Sequence, residues 1–222
     1  MASLGAGTPV HASDDAELFP NIHVNVQERY IELDGHVPIR LDDPDAPLVY
    51  LELVACTPNT KEHEVLVVTP ARPSQVHAAL LMIGLKPGKP AFWTQENGSV
   101  IAHAPQGDPV KVELLWQDDD GNQIQSSPAN WIVSAQSHKP WPEGQWVFAG
   151  SIMNNHGGHE FYEADGSGTL IGLTSFGSEV IAWQRVISPD SQTDEPEWIA
   201  NAEHVPPVDT AVTIRISALH DK

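Results

Sequence analysis

Apolar residues along this chain occur in short runs separated by turn-forming residues, which predicts a fold made mainly of β-strands. Large apolar residues alternate with other residues in 110–116, 180–187 and 211–217. This period of two is typical of strands with one buried face. Asn97-Gly98 and Gly121-Asn122 supply turns, because Gly and Asn tolerate the positive φ that tight hairpins require.

The densest apolar stretch, residues 51–88, predicts two strands followed by a helix. Residues 49–55 and 64–69 are rich in large and β-branched side chains, and the short polar loop between them favours a hairpin. An amphipathic helix is predicted over about 74–85, with Ser74 as its N-cap. The apolar face of this helix, spaced at i, i+3, i+4 and i+7, consists of Val76, Ala79, Leu80 and Ile83.

Many short strands with a single helix indicate a mainly β (α+β) fold, and we expect an antiparallel β-sandwich-like domain with one embedded helix. The domain is predicted to cover residues 19–218, and the Pro-rich segment 137–144 is its best boundary if it consists of two sub-domains. Residues 1–18 are predicted to be a disordered tail or a signal-peptide remnant. Residues 10–12 end like a signal-peptidase site, but the basic and apolar regions of a signal peptide do not precede them.

The chain is strongly acidic, since 30 Asp and Glu residues stand against 11 Lys and Arg, giving a formal net charge of −19. Nucleic acids and anionic membrane surfaces attract positive charge, so neither is an expected partner. No apolar run approaches the ~20 residues that cross a bilayer, so no membrane insertion is expected. A protein or glycan partner is compatible with this composition, which does not determine an oligomeric state.

The single cysteine and two histidines of the central stretch form the first predicted site. Cys56 and His63 flank the predicted loop, and His77 lies in the first turn of the predicted helix. A thiolate with imidazoles suits zinc or another divalent metal, and it also combines a nucleophile with a base. The alternative is a structural role, because free cysteine is among the most buried residue types.

Charged neighbours of His63 form the binding part of this predicted site. Lys61, Glu62 and Glu64 lie in the same polar loop, and Glu62 or Glu64 could orient an imidazole as carboxylates near metal ligands do. The chain contains no C-x-x-C and no H-E-x-x-H motif, so no catalytic residue is assigned.

A second predicted metal group surrounds Gly157-Gly158. His156, His159 and Glu160 are spaced compatibly with metal binding if both imidazoles face one way. The two glycines instead indicate an exposed hairpin tip.

Three tryptophans lie close together in the second half of the chain. They could form an exposed rim that holds a ligand, or they could pack in the core. We favour the core, because a buried Trp removes a large apolar area from water. These residues are Trp131, Trp141 and Trp146.

Two phrases of the central stretch, ACTPNTKEHEVLVV and VHAALLMIGLKPG, resemble the YdjY-like domain of bacterial envelope proteins. The resemblance continues through WVFAGS, YEADGSGTLIGL and AEHVPPVDTAVTIRI, so it covers roughly residues 22–217. It implies a periplasmic or extracellular location. It carries no catalytic residues over to this chain.

These observations favour an envelope or secreted domain without catalytic activity that binds a partner protein, a glycan or a metal. The alternative is an enzyme that works at the region of Cys56, His63 and His77. Such an enzyme would use a metal-bound water or the cysteine thiolate.

Overall fold

The computed structural model describes residues 16–41 and 48–219, in which nineteen strands, two helices and two 3-10 turns are found. The strands are β1 (Ala16–Phe19), β2 (Ile22–Asn25), β3 (Tyr30–His36), β4 (Leu53–Cys56), β5 (Val65–Val68), β6 (Pro87–Lys89), β7 (Phe92–Glu96), β8 (Ser99–His103), β9 (Gln106–Gly107), β10 (Pro109–Gln117), β11 (Gln123–Ser126), β12 (Ile132–Ser134), β13 (Trp146–Phe148), β14 (Met153–His156), β15 (His159–Tyr162), β16 (Thr169–Gly172), β17 (Ile181–Trp183), β18 (Trp198–Ala200) and β19 (Ala211–Ala218). The helices are α1 (Pro73–Met82) and α2 (Glu163–Ser167), and the 3-10 turns are Glu62–Glu64 and Pro128–Trp131.

Eight of the strands form a closed barrel, so the mainly β prediction is confirmed and the sandwich prediction is wrong. The order around the barrel is β3-β19-β10-β13-β17-β16-β4-β5. The pairing of His36 in β3 with Val68 in β5 closes the ring. Alternation along a strand shows that one face is buried, but it does not show which strand edges meet.

The two central strands, β4 and β5, pair in parallel, so the predicted hairpin is wrong. Segment 57–64 returns the chain to the start of β4, and segment 173–180 does the same for the second parallel pair, β16 and β17. Every residue of these four strands is buried. Burial on both faces produces continuous apolar runs instead of alternation, as in parallel sheets that are covered on both sides.

Helix α1 packs against β2 and β3 through the predicted apolar face, which is buried. The predicted N-cap is wrong, because Arg72 holds that position and the helix begins at Pro73. The Asp165 carboxylate instead accepts hydrogen bonds from the backbone amide and hydroxyl of Ser74, both at 2.7 Å. A carboxylate at this end also complements the helix dipole.

Asp165 belongs to α2, a short helix that the turn-rich sequence 162–168 did not predict. In the part of the chain that the structure describes, no helix has the length and apolar character needed to cross a membrane.

Segment 137–144 connects β12 to the barrel strand β13. Strand β10, which precedes it, pairs with β13, which follows it, and β12 pairs with β18. The predicted tail lies outside the described residues up to residue 15, whereas residues 16–18 belong to β1.

Candidate functional site

A large cleft of the described structure lies where the starts of β4 and β5 meet the segment 183–198. Its volume is about 820 Å³, within the range of roughly 300–1,000 Å³ that is usual for ligand sites. A second depression of about 610 Å³ lies beside it and shares lining residues with it, and the two parts are together called the groove below. The residues that line both parts are Glu52, His63, Glu64 and Pro189.

A pair of carboxyl groups, Glu52 and Glu64, lies at the junction of the two parts. Parallel pairing aligns Leu53 with Val65, and therefore places the preceding residue of each strand side by side. The backbone amide of Glu52 donates to the carbonyl of Glu64 at 2.9 Å, so the two carboxyl groups leave neighbouring positions on adjacent strands. Both side chains are partly open to solvent, with 24% and 31% of their surface exposed.

Burial, followed by the neighbouring Glu64 carboxylate, raises the pKa of Glu52 to about 7. Lys61 opposes this shift, because its Nζ lies 3.7 Å from Glu52 Oε2. On the other side, His63 Nε2 lies 3.3 Å from Glu64 Oε1. With its pKa raised to about 7, the Glu52 carboxyl is therefore partly protonated near neutral pH, although a lysine lies within reach of it.

The lining of the cleft is also aromatic and acidic. Tyr50, Trp183 and Trp198 are its aromatic residues. Trp183 is only 3% exposed, and its indole N–H has no hydrogen-bond partner among the described residues. Arg185 is the one Lys or Arg residue among the described residues that line the cleft, and the acidic residues there are Glu52, Glu64, Asp194, Glu195 and Glu197.

The comparisons with known proteins agree with the resemblance seen in the sequence. Residues 22–217 match the YdjY domain, which is most of the chain and includes every residue of the barrel except the last of β19. The chain belongs to the YdjY domain family. No curated protein matches the chain, and no solved structure matches it.

Three of the predicted site residues of this YdjY domain lie at the groove, namely Lys61, His63 and Glu64. Glu62, predicted beside them, does not line it. The Glu62 carboxylate instead accepts a hydrogen bond from the amide of Asn59. Hydrogen bonds from backbone amides, those of Glu62 and Asn59 first, lower the pKa of Glu62.

Cys56 is fully buried, in a small cluster with Leu53, Val65 and Val68 beneath Phe176. Burial raises the pKa of its thiol, which disfavours the thiolate that a nucleophile or a metal ligand requires. His63, by contrast, has 72% of its side chain exposed. The arrangement supports a structural role for the cysteine and gives no support to thiol catalysis.

His77 does not line the groove, and its side chain has a different set of partners. Its Nδ1 lies 2.9 Å from the Tyr162 hydroxyl and 3.1 Å from the Gly150 carbonyl oxygen. Its ring packs edge-on against Phe148 and Tyr162. Burial lowers the pKa of His77, so the neutral ring that links α1 to this segment is favoured.

His156 and His159 face each other across the exposed tip of the β14–β15 hairpin, and Glu160 follows on β15. Nowhere in residues 16–41 and 48–219 do three or more His, Cys, Asp or Glu side chains gather as metal ligands. The structure therefore does not join Cys56, His63 and His77 into one ligand set, and it does not build a zinc centre from the hairpin residues.

Sequence reasoning missed most of the cleft, including Glu52, Tyr50, Trp183 and Trp198. One signal was present: each of the two continuous apolar strands is directly preceded by a glutamate, Glu52 or Glu64. If the strands had been recognised as a parallel pair, this common offset would have placed the two carboxyl groups together.

The three tryptophans considered from the sequence lie in the core and not in an exposed rim. The favoured core interpretation is confirmed, because Trp131, Trp141 and Trp146 are at most 7% exposed. Trp141 packs edge-to-face against Trp183 and Trp198, and Trp146 packs in the same way against Trp183. Two of the three therefore support the tryptophans that line the cleft.

Proposed function

We propose that this YdjY domain is a binding module without catalytic activity that holds an extended peptide segment of a partner protein in the groove. The observation that carries the proposal is the groove, which is lined by aromatic side chains and by a carboxyl pair that its two parts share. Aromatic side chains bury large areas of a ligand, and a few polar groups at fixed positions orient it.

The shape and charge of the groove favour a peptide over a compact ligand or a neutral glycan. The two depressions follow one another along residues that both of them share, so a chain-like ligand can occupy both. The five carboxyl groups of the main cleft face a single arginine, which is complementary to a ligand with positive charge. The acidity of the whole chain makes nucleic acid a poor partner.

An envelope location, periplasmic or extracellular, belongs to the same proposal, and it rests on membership of the YdjY domain family. Exposed partner segments and secreted peptides are available in such a compartment. The enzyme alternative receives no support from Cys56, which is sealed in the core.

Peptide display on the purified domain tests the proposal. Selected peptides would be synthesised, and their affinity would be measured by calorimetry for wild type, Tyr50→Ser and Val100→Ser. Tyr50 lines the cleft, whereas Val100 is an exposed apolar residue on the separate β7–β8 hairpin. We expect Tyr50→Ser to weaken binding at least tenfold and Val100→Ser to leave it unchanged.

Selected peptides that bind all three proteins equally would contradict a peptide site in this groove. A selection that enriches no peptide would contradict it as well.

A further inference from the structure

We propose that the Glu52–Glu64 pair is the anchor for an arginine side chain of the bound peptide. This inference rests on the proposed function, because it names the side chain that the groove selects. Any proton that the guanidinium displaces from Glu52 passes to the buffer, and no covalent bond is formed or broken.

The geometry of the pair suits a planar cation. The two carboxyl groups leave adjacent strand ends that are locked in register by the bond from the Glu52 amide to the Glu64 carbonyl. Both keep part of their surface open to the groove. A guanidinium carries five N–H donors in a fixed plane, and it can bridge two carboxylates with charge-assisted hydrogen bonds.

The local charge balance leaves room for one more cation. When Glu52 and Glu64 are both ionised, two negative charges face Lys61, which already contacts the ring of Phe176 at 4.0 Å. A ligand guanidinium would balance the second negative charge. The remaining charged or titratable groups that line the same cleft are His63, which lies beside Glu64, and Arg185, Asp194, Glu195 and Glu197.

Protonation near neutral pH makes the exchange measurable. Burial and the Glu64 carboxylate raise the pKa of Glu52 to about 7, so a cation that requires both carboxylates must expel a proton below this pH. The affinity for a guanidinium should therefore rise about tenfold from pH 6 to pH 8. His63 lies beside Glu64, so its contribution to the exchange is removed separately in a variant.

The test uses two capped hexapeptides, acetyl-(Ala-Arg)₃-amide and its citrulline counterpart, in 0.15 M salt. Citrulline keeps the shape of arginine but carries no charge. We expect the arginine peptide to bind wild type at least tenfold more tightly than the citrulline peptide. Glu52→Gln, which mimics the neutral form of the side chain, should abolish this preference. Glu62→Gln makes the same change in net charge outside the groove and should preserve it.

Calorimetry in two buffers of different ionisation enthalpy then counts the protons released at pH 6.5. Wild type and His63→Gln should release most of one proton per peptide, and Glu52→Gln should release none. Equal affinity for the two peptides would overturn the inference, and so would a proton release that persists in Glu52→Gln.

The proposed function can fail or survive separately from this inference. If the citrulline peptide binds as tightly as the arginine peptide and Tyr50→Ser weakens both, the groove binds peptides but has no arginine anchor. If no peptide binds in a manner that depends on Tyr50, both proposals are wrong.

Discussion

Glu52 and Glu179 have similarly raised carboxyl pKa values, although their surroundings in the fold are different. Burial is the main cause of the shift in both, and the pKa of each carboxyl group is raised to about 7. Glu52 has 24% of its side chain exposed and opens to the groove beside Glu64. Glu179 is completely buried, and one of its oxygens has no partner among the described residues.

The two carboxyl groups also differ in what opposes the shift. Lys61 favours the ionised form of Glu52, whereas backbone amides of 176–179 favour the ionised form of Glu179, including the Ser178 amide at 3.0 Å. A raised pKa therefore does not identify a ligand site by itself. Access from the groove distinguishes Glu52, and the sealed position of Glu179 makes it a determinant of stability.

The largest expected effect is on the pH dependence of stability and comes from Glu179→Gln. A folded-state pKa of about 7 against 4.5 in the unfolded chain means that the folded protein binds the proton more tightly. Its stabilising contribution is complete below pH 4.5 and is lost as the pH rises through 7. From pH 5 to 8, wild type should lose about 2–3 kcal/mol of unfolding free energy that Glu179→Gln does not lose.

Urea unfolding at several pH values measures this difference, and Glu160→Gln on the exposed hairpin is the matched control. If wild type and Glu179→Gln changed in parallel with pH, the buried carboxyl would not be the cause.

The second prediction separates the two causes that raise the pKa of Glu52, which are burial and the neighbouring Glu64 carboxylate. Glu64→Gln removes the neighbouring negative charge but leaves the burial of Glu52 unchanged. The pKa of Glu52 should fall below 7 and remain above its ordinary value of 4.5. Side-chain carboxyl NMR titration measures this directly. An unchanged pKa in Glu64→Gln would show that the two carboxyl groups are not coupled.

A smaller effect in the opposite direction is expected from Lys61→Met. The lysine favours the ionised form of Glu52, so its removal should raise the pKa of Glu52 above 7. The same NMR titration detects the change. Lys111→Met removes a lysine that pairs with Glu113 instead, and it should leave Glu52 unaffected. A fall in the pKa of Glu52 in Lys61→Met would contradict the conclusion that this lysine favours the ionised form of Glu52.

The smallest effect is the expected absence of a reaction at Cys56. Its thiol is fully buried and its pKa is raised, so iodoacetamide at pH 8 should not modify the native protein within hours. Modification should follow unfolding in urea, which mass spectrometry can verify. Rapid alkylation of the native protein would show that the Cys56 thiol is accessible. It would then support the hypothesis that this thiol is a nucleophile.

Local patterns in the sequence predicted several elements well. The 3.6-residue period of Val76, Ala79, Leu80 and Ile83 identified the buried face of α1, and alternation identified β10 and β19. These succeeded because side-chain direction within one element depends on backbone geometry alone. The N-cap of α1 failed for the opposite reason, since the carboxylate that binds Ser74 comes from Asp165 in α2.

The candidate site could be predicted only in part. The charged loop gave Lys61, His63 and Glu64, because all three lie in one short polar segment. Glu52 was not predicted, since its partner Glu64 becomes a neighbour only when β4 and β5 pair in parallel. Trp183 and Trp198 come from far along the chain, and no local signal links them to that loop.

The sequence by itself determined the mainly β character, the buried helix face, the acidity and the membership of the YdjY domain family. Each of these depends on local periodicity, composition or residue identity. Only the tertiary structure decided that the sheet closes into a barrel and that Cys56 is sealed while Glu52 opens to a groove. The physical reason is that strand pairing joins residues distant in sequence, and the pairing decides which side chains lose contact with water.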